Sequence, residues 1–352
     1  QVVALSLDGK TGALRELCPP VGARGTSTCY LTIHHSCRRM LLVNYWDSTI
    51  CTVRMEPDGT LDGVMATYDP KQGKKMKASA DHHVNHSLND AAAQAERQGD
   101  PHSHAIVLEP SKGTVAFVPD LGMDLIRQFH FDEETGVVTP CGEIVSGVKS
   151  DGRALGPRYM VFHQRLHICY VVNELSSQVA VFQYHPEIAA EIDGLFARTA
   201  PPLRAEQLRS CKPTLSLVQT VSTVPAAFPR ELNTCGRVAI HPSGDFVLTS
   251  NRGHDSVAVH RIHRDSNPAG LVTLAGIFHT RGETPRHFQA SQYVRWEVRR
   301  RRERALDAVP SAASTGHSRT VLLACHLQFD KSGQWLIVAN QDSDDCAVFN
   351  FN

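Results

Sequence analysis

The sequence predicts an all-β protein, a β-propeller of four-stranded antiparallel blades, and three observations carry that reading. The first is a template that recurs five times: an apolar strand, an Asn or Asp, five variable residues, then a second apolar strand. It reads LLVNYWDSTICTV, AFVPDLGMDLIRQF, YVVNELSSQVAVF, LTSNRGHDSVAVH and IVANQDSDDCAVF, with landmark residues Asn44, Asp120, Asn173, Asn251 and Asn340. The second is punctuation, since turn-forming residues bracket these strand pairs and add a strand on each side. The third is spacing: Asp120 to Asn173 is 53 residues, near the roughly 40 to 50 of a propeller blade. A β-sandwich also has short strands but gives no reason for one template to recur five times.

In chain order, Val2 to Leu5 reads as strand, ahead of the first landmark repeat around Asn44. Asp58-Gly59-Thr60-Leu61 then turns into that unit's last strand. Segment 81–100 is polar and Ala-rich, a long loop or short helix. Thr135-Gly136-Val137-Val138 closes the Asp120 unit, and Leu215 to Val218 closes the Asn173 unit after an insertion at 186–213. That insertion, with Pro201-Pro202 and mixed charge, is expected on the surface, with one helical turn around Ala189 to Phe196. The Asn251 unit is the most complete: VAIHPSGDFVLTSN supplies two strands and their hairpin bend, and Ala269-Gly270-Leu271-Val272 turns into the last. Repetition of small sheets around a channel shelters their edges and brings equivalent positions to one face. The whole of 1–352 is therefore read as a single domain.

Composition narrows the function. Lys plus Arg and Asp plus Glu number 36 each, a formal net charge of zero, which gives no long-range field for nucleic acid or an acidic membrane. No apolar run approaches the roughly 18 residues of a membrane span, and no basic stretch followed by an apolar one comes after Gln1, so a cytoplasmic location is expected. Ten scattered cysteines without a CxxC read as buried reduced thiols. Neither GxGxxG nor GxxxxGK[ST] occurs, so no nucleotide cofactor is expected, and the lack of GxSxG argues against a serine hydrolase. His82-His83-Val84-Asn85-His86 and His34-His35 invite a metal, but no carboxylate or Cys stands at ligand spacing beside them, and no metal site is assigned.

Six strings sit on the repeat register: Pro101-His102-Ser103-His104, Gly156-Pro157-Arg158, Asn173-Glu174-Leu175-Ser176-Ser177, Ser250-Asn251-Arg252-Gly253-His254-Asp255-Ser256, Thr284-Pro285-Arg286 and Ala339-Asn340-Gln341-Asp342-Ser343. In these motifs and their order the chain resembles the lactonase family of seven-bladed propellers, which includes a bacterial type of 6-phosphogluconolactonase and the fungal carboxy-cis,cis-muconate cyclase. The resemblance implies a seven-bladed ring without a cofactor. Against it, Gln1 to Leu5 looks like the late strands of a first blade and Phe351-Asn352 falls inside a later one, so the chain is expected to be incomplete at both ends. Between Thr284-Pro285-Arg286-His287 and Leu327-Gln328-Phe329-Asp330 it also carries 288–326, which the family lacks, with seven Arg and no Lys. A translated intron and a surface insertion both remain open for it.

Glu174 and Arg252 each directly follow a landmark Asn, placing opposite charges at equivalent positions of neighbouring repeats. Arg158 and Arg286 share a Pro-Arg position, and His102 and His104 enter the blade before. By resemblance to the muconate cyclase's catalytic His, Glu and two Arg, the expected catalytic set is His104, Arg158, Glu174 and Arg252. His102, Asn173, Asn251 and Arg286 are expected to bind substrate. A loop carrying Asn85, Arg97 and Gln98 towards the channel is a further candidate. Arginine supplies planar bidentate forks for a phosphate, carboxylate or oxyanion, and His with a carboxylate supplies acid–base chemistry. The expected partner is thus a small anionic lactone, foremost 6-phosphogluconolactone of the oxidative pentose phosphate route. Either Glu174 or His104 could be the base. A muconate-type cycloisomerase and a binding scaffold without turnover stand as alternatives; nothing here bears on oligomeric state.

Overall fold

In the computed structural model, residues 1–7, 13–70, 97–149, 152–199, 206–208, 211–291, 335–343 and 345–350 are described. They form a succession of antiparallel sheets. A two-stranded sheet, β1 (Leu5–Leu7) and β2 (Leu14–Glu16), comes first. Four complete four-stranded sheets follow. They are β3 (Thr28–Ile33), β4 (Arg39–Asn44), β5 (Ile50–Met55) and β6 (Leu61–Tyr68), then β7 (Val107–Leu108), β8 (Val115–Asp120), β9 (Leu125–Phe131) and β10 (Val138–Val145). The next pair are β11 (Pro157–Phe162), β12 (Ile168–Asn173), β13 (Gln178–Tyr184) and β14 (Leu215–Ser222), then β15 (Thr234–Ile240), β16 (Phe246–Arg252), β17 (Ser256–His263) and β18 (Leu271–His279). Last come β19 (Pro285–Ser291), β20 (Trp335–Asn340) and β21 (Asp345–Asn350). Strand order within each sheet is sequential, the meander the repeats predict.

The core lies between sheets. Successive side chains of a strand point to opposite faces, so a strand apolar at every position feeds two interfaces at once. In β12, Cys169 and Val171 pack towards β8 and β9, while Ile168, Tyr170 and Val172 pack towards β15 and β16. Every other junction between consecutive sheets repeats this, from Val2 and Ala23 against Leu42 and Val53 to Leu248 and Val259 against Phe288 and Val338.

Each landmark residue falls at the end of its sheet's second strand, or one residue before it for Asn251, and four of the five tie neighbouring sheets together. The side-chain amides of Asn44, Asn173, Asn251 and Asn340 donate to the backbone carbonyls of Ala23, Ser146, Thr223 and Thr280, at 2.9, 2.9, 2.8 and 3.4 Å. The last three acceptors directly follow the outer strand of the preceding sheet. Asp120 has no N–H to donate; instead it accepts from the His102 amide at 2.8 Å and pairs with Arg127 at 2.9 Å.

Two expectations change in detail. Segment 186–213 carries a full helix, α1 (Pro186–Arg198), rather than a single turn. The helix is part of the core, because buried Ala189 and Ile192, with Leu208 beyond it, join the apolar cluster of β8 and β12. Segment 288–326 does not lie wholly outside the blade, since Phe288 to Ser291 extend β19 and pair with Val338 to Trp335. Phe288 is buried at that junction, which is what draws the strand past His287. The remainder, 292–326, lies outside the described residues, as do His82, His83, Asn85 and His86.

Candidate active site

Two positions of the repeat build a polar cluster at one end of the sheets. The first is the residue after four of the five landmarks: Tyr45, Glu174, Arg252 and Gln341, with apolar Leu121 after Asp120. The second is a β-bulge near the start of the first strand in four sheets, β3, β11, β15 and β19, at Cys29, Arg158, Gly236–Arg237 and Arg286, where pairing skips a step. A bulge adds one residue to one strand and re-aims its side chain. Four bulges at one register position turn a repeated backbone feature into a ring of chemically different side chains.

Glu174 is the hub. Its Oε1 is 2.6 Å from Arg97 Nη1 and 3.0 Å from Arg252 Nη2, and its Oε2 is 2.8 Å from Arg158 Nε. Backbone geometry fixes it, since its amide donates to Gly156 O at 2.7 Å and its carbonyl accepts from the Cys235 amide at 3.0 Å. Two of the arginines are also anchored to backbone, Arg158 through its Nη1 and Arg252 through the same Nη2 that faces Glu174. Arg158 donates to Gly236 O and Arg252 to Cys235 O, both at 2.6 Å. Gly236 is required there: a Cβ would stand 2.6 Å from Ser250 Oγ and 2.9 Å from Arg286 O.

Electrostatics follow from this packing. Burial alone would raise the Glu174 pKa, but Arg252, Arg97 and Arg158 together hold it well below the usual carboxylate range. Burial pushes Arg252 down to about 10, which leaves it protonated at neutral pH. His104, almost fully buried, is held well below its usual value by burial and by Arg158, so its imidazole is neutral. Its ring stands edge-on to Tyr45 and Tyr159, each 5.2 Å away, and its Nδ1 is buried without a hydrogen-bond partner. Three guanidiniums on one carboxylate leave the cluster net positive, suited to an anionic ligand.

The expected catalytic four, His104, Arg158, Glu174 and Arg252, come together here. The expected binders do so unevenly. Arg286 reaches the cluster from its bulge and donates to Gln341 at 2.9 Å. His102 stacks on Tyr45 at 4.9 Å and meets Trp46 edge-on at 5.2 Å, so it backs the wall of the site rather than lining it. Asn173 and Asn251 are fully buried, with their amides committed to the inter-sheet ties.

Residues 1–195 and 204–296 match the family model described as "Lactonase, 7-bladed beta-propeller". The chain belongs to that family. Among curated lactonase relatives, 6-phosphogluconolactonase of Bacillus subtilis is 27% identical over 289 residues, covering 82% of this chain and 66% of that protein. Of solved propellers, the periplasmic gluconolactonase PpgL of Pseudomonas aeruginosa aligns with a TM-score of 0.63 at 20% identity, over 99% of this chain and 72% of that one. A putative 6-phosphogluconolactonase of Bacteroides fragilis aligns at 0.61 and 20%, over 99% and 73%. The chain thus spans about two thirds of the Bacillus protein's length.

Beyond the expected residues of this lactonase-family site, the structure adds two arginines. Arg97, foreseen as part of a channel-directed loop but without a role, is a direct partner of Glu174, and the Gln98 side chain pins that loop by donating to Leu121 O at 2.6 Å. Arg237 has no Pro-Arg signature because its bulge begins on Gly236, so the motif that exposes Arg158 and Arg286 passes over it. Among the described residues no group of three or more His, Cys, Asp or Glu is placed to hold a metal. His34 is instead committed to Ser36 Oγ at 2.9 Å and the Lys112 carbonyl at 3.1 Å.

Proposed function

We propose that the protein hydrolyses a small anionic lactone, 6-phosphogluconolactone first, with His104 as the general base. The observation that carries this reading is the contrast between His104 and Glu174. Both carboxylate oxygens of Glu174 face guanidiniums, whereas His104 is neutral with an unpartnered Nδ1. Neutral His104 and ionised Glu174 are both in the form that can accept a proton, and His104 differs in keeping a ring nitrogen uncommitted, whereas both oxygens of Glu174 are occupied by cations.

In this reading Arg158 and Arg252 face the lactone carbonyl. His104 removes a proton from the attacking water as its oxygen bonds to the carbonyl carbon, and the guanidiniums stabilise the oxyanion. Collapse breaks the ring C–O bond, and the leaving ring oxygen takes the proton from the imidazolium. The products are one hydroxyl and one carboxylic acid, which releases its proton to solvent to become the carboxylate. Glu174 and Arg97 act as positioning residues, holding the two catalytic arginines in one orientation. The family membership and the likeness to the Bacillus protein support the substrate class. The same reading puts the reaction in the oxidative pentose phosphate route and the protein in the cytoplasm. No helix among the described residues is long and apolar enough to cross a membrane.

The test is hydrolysis of freshly generated 6-phosphogluconolactone followed by stopped flow against its spontaneous decay. Acceleration by the protein that is lost in His104→Gln supports the assignment. No acceleration by the folded protein overturns it.

A further inference from the structure

Arg237 is a cation the proposed chemistry does not use. It is half-buried, it makes no ion pair with a carboxylate among the described residues, and its Nε is buried without a hydrogen-bond partner. Its guanidinium carbon lies 5.3 Å from the Tyr159 ring centroid, while that of Arg158 lies 4.4 Å from the same centroid. Tyr30, on β3, has its phenol close to Arg237. Arg237, Tyr30 and Tyr159 line a cavity of about 220 Å³ that continues along the inner strands past Phe162 and Gln164 to Ile240.

A guanidinium partly withdrawn from water needs a counter-charge, and among the described residues Arg237 meets aromatic faces and a phenol but no anion. The missing partner is therefore expected from a ligand. Because Arg158 and Arg237 share one aromatic ring, an anion on Arg237 and a carbonyl at Arg158 are a small molecule's length apart. A planar fork takes two oxygens of a carboxylate or a phosphate alike, and the phenolic hydroxyl beside it adds a further donor that a group presenting three or more oxygens can use.

Resting on the lactone-hydrolase reading, we propose that Arg237, held by Tyr30 and Tyr159, is a phosphate subsite that selects phosphorylated over unphosphorylated lactones. The cavity wall takes the carbon chain, and Arg158 with Arg252 takes the ester end.

The measurement is the ratio of kcat/KM for 6-phosphogluconolactone to that for glucono-1,5-lactone, in the wild-type protein and in Arg237→Gln. Loss of one charge-assisted contact predicts that the ratio falls by about 10- to 100-fold, mostly through KM of the phosphorylated substrate. Arg237→Lys, which keeps the charge and loses the fork, should give an intermediate ratio and covers the case in which the Gln variant does not fold. An equal loss on both lactones overturns the subsite. If the wild-type protein hydrolyses neither lactone, the hydrolase reading fails by itself. Calorimetric titration with inorganic phosphate then decides the subsite alone: binding by wild type that weakens in Arg237→Lys supports it, and binding unchanged by the substitution, or none at all, overturns it.

Discussion

Glu174 Oε2 lies 2.8 Å from Arg158 Nε, with neither side chain more than 2% exposed, although the two residues belong to different strands and are separated by 15 others. The pair is closed by the hairpin of β11 and β12. Pro157 is registered opposite Asn173, so the bulge residue after the first and the loop residue after the second emerge on the same side. One strand pairing therefore delivers both an anion and a cation to the channel end.

The first prediction concerns that anion. Glu174→Gln leaves Arg97, Arg158 and Arg252 without their shared counter-charge, and breaking a buried ion pair from one side costs about 3 to 5 kcal/mol. The urea midpoint should fall with no change in the m-value. The native carboxyl titrates well below its unfolded value of about 4.3, so its contribution is fully present above that pH and is lost only as pH falls through the depressed native value. Acid unfolding of the variant should lack that component. Equal acid and urea profiles for the two proteins would remove the hub role.

His104 gives the second. Its native pKa is depressed, so near pH 5 to 6 the unfolded chain binds a proton that the native state does not. Its contribution to stability is complete above the unfolded value of about 6.5 and declines as pH falls below it. The same depression leaves the base available in mild acid, so the acid limb of kcat/KM should lie well below pH 6.5. His104→Gln should lower kcat by about 10²- to 10⁴-fold and abolish that limb. A limb that persists in the variant would assign it to another group.

How much of this was legible beforehand depends on what each residue signals locally. The landmark asparagines marked the strand ends, because an amide tie to the preceding sheet recurs with the fold and so repeats in the sequence. Glu174 and Arg252 were legible because they sit one step past that mark. Arg237 was not, because the glycine ahead of it breaks the Pro-Arg pattern and its meaning depends on a ring, Tyr159, contributed by another sheet. For Asn173 and Asn251, expected to bind substrate, the sequence carried no sign that each amide is committed to a carbonyl of the sheet before, because that acceptor comes from a neighbouring sheet.

That commitment makes the third prediction. Asn251 donates to Thr223 O at 2.8 Å and to Ser256 Oγ at 3.1 Å while buried from solvent. Asn251→Ala strands a buried carbonyl and should cost about 1 to 3 kcal/mol in unfolding free energy. Asn251→Asp should be no better, since it sets a second acceptor against the same carbonyl. Calorimetry on both variants checks this, with KM for the lactone measured alongside. A rise in KM without loss of stability would return Asn251 to the substrate.

Gly156 carries the last. Its φ is +64°, in the left-handed region, its amide donates to Asp124 Oδ1 at 2.8 Å, and its carbonyl accepts from the Glu174 amide. A Cβ there would meet Leu175 Cγ at 2.5 Å, a collision with a side chain that is itself 4% exposed and has little room to yield. Gly156→Ala therefore pays twice, about 1 to 2 kcal/mol for the left-handed backbone and a further overpacking cost against Leu175. Adding Leu175→Ala should recover the second part and leave the first. Because the carbonyl holds Glu174 in place, Gly156→Ala should also lower kcat by moving the carboxylate off its three arginines. Full recovery of both stability and kcat in the double variant would mean the collision alone mattered and the backbone conformation did not.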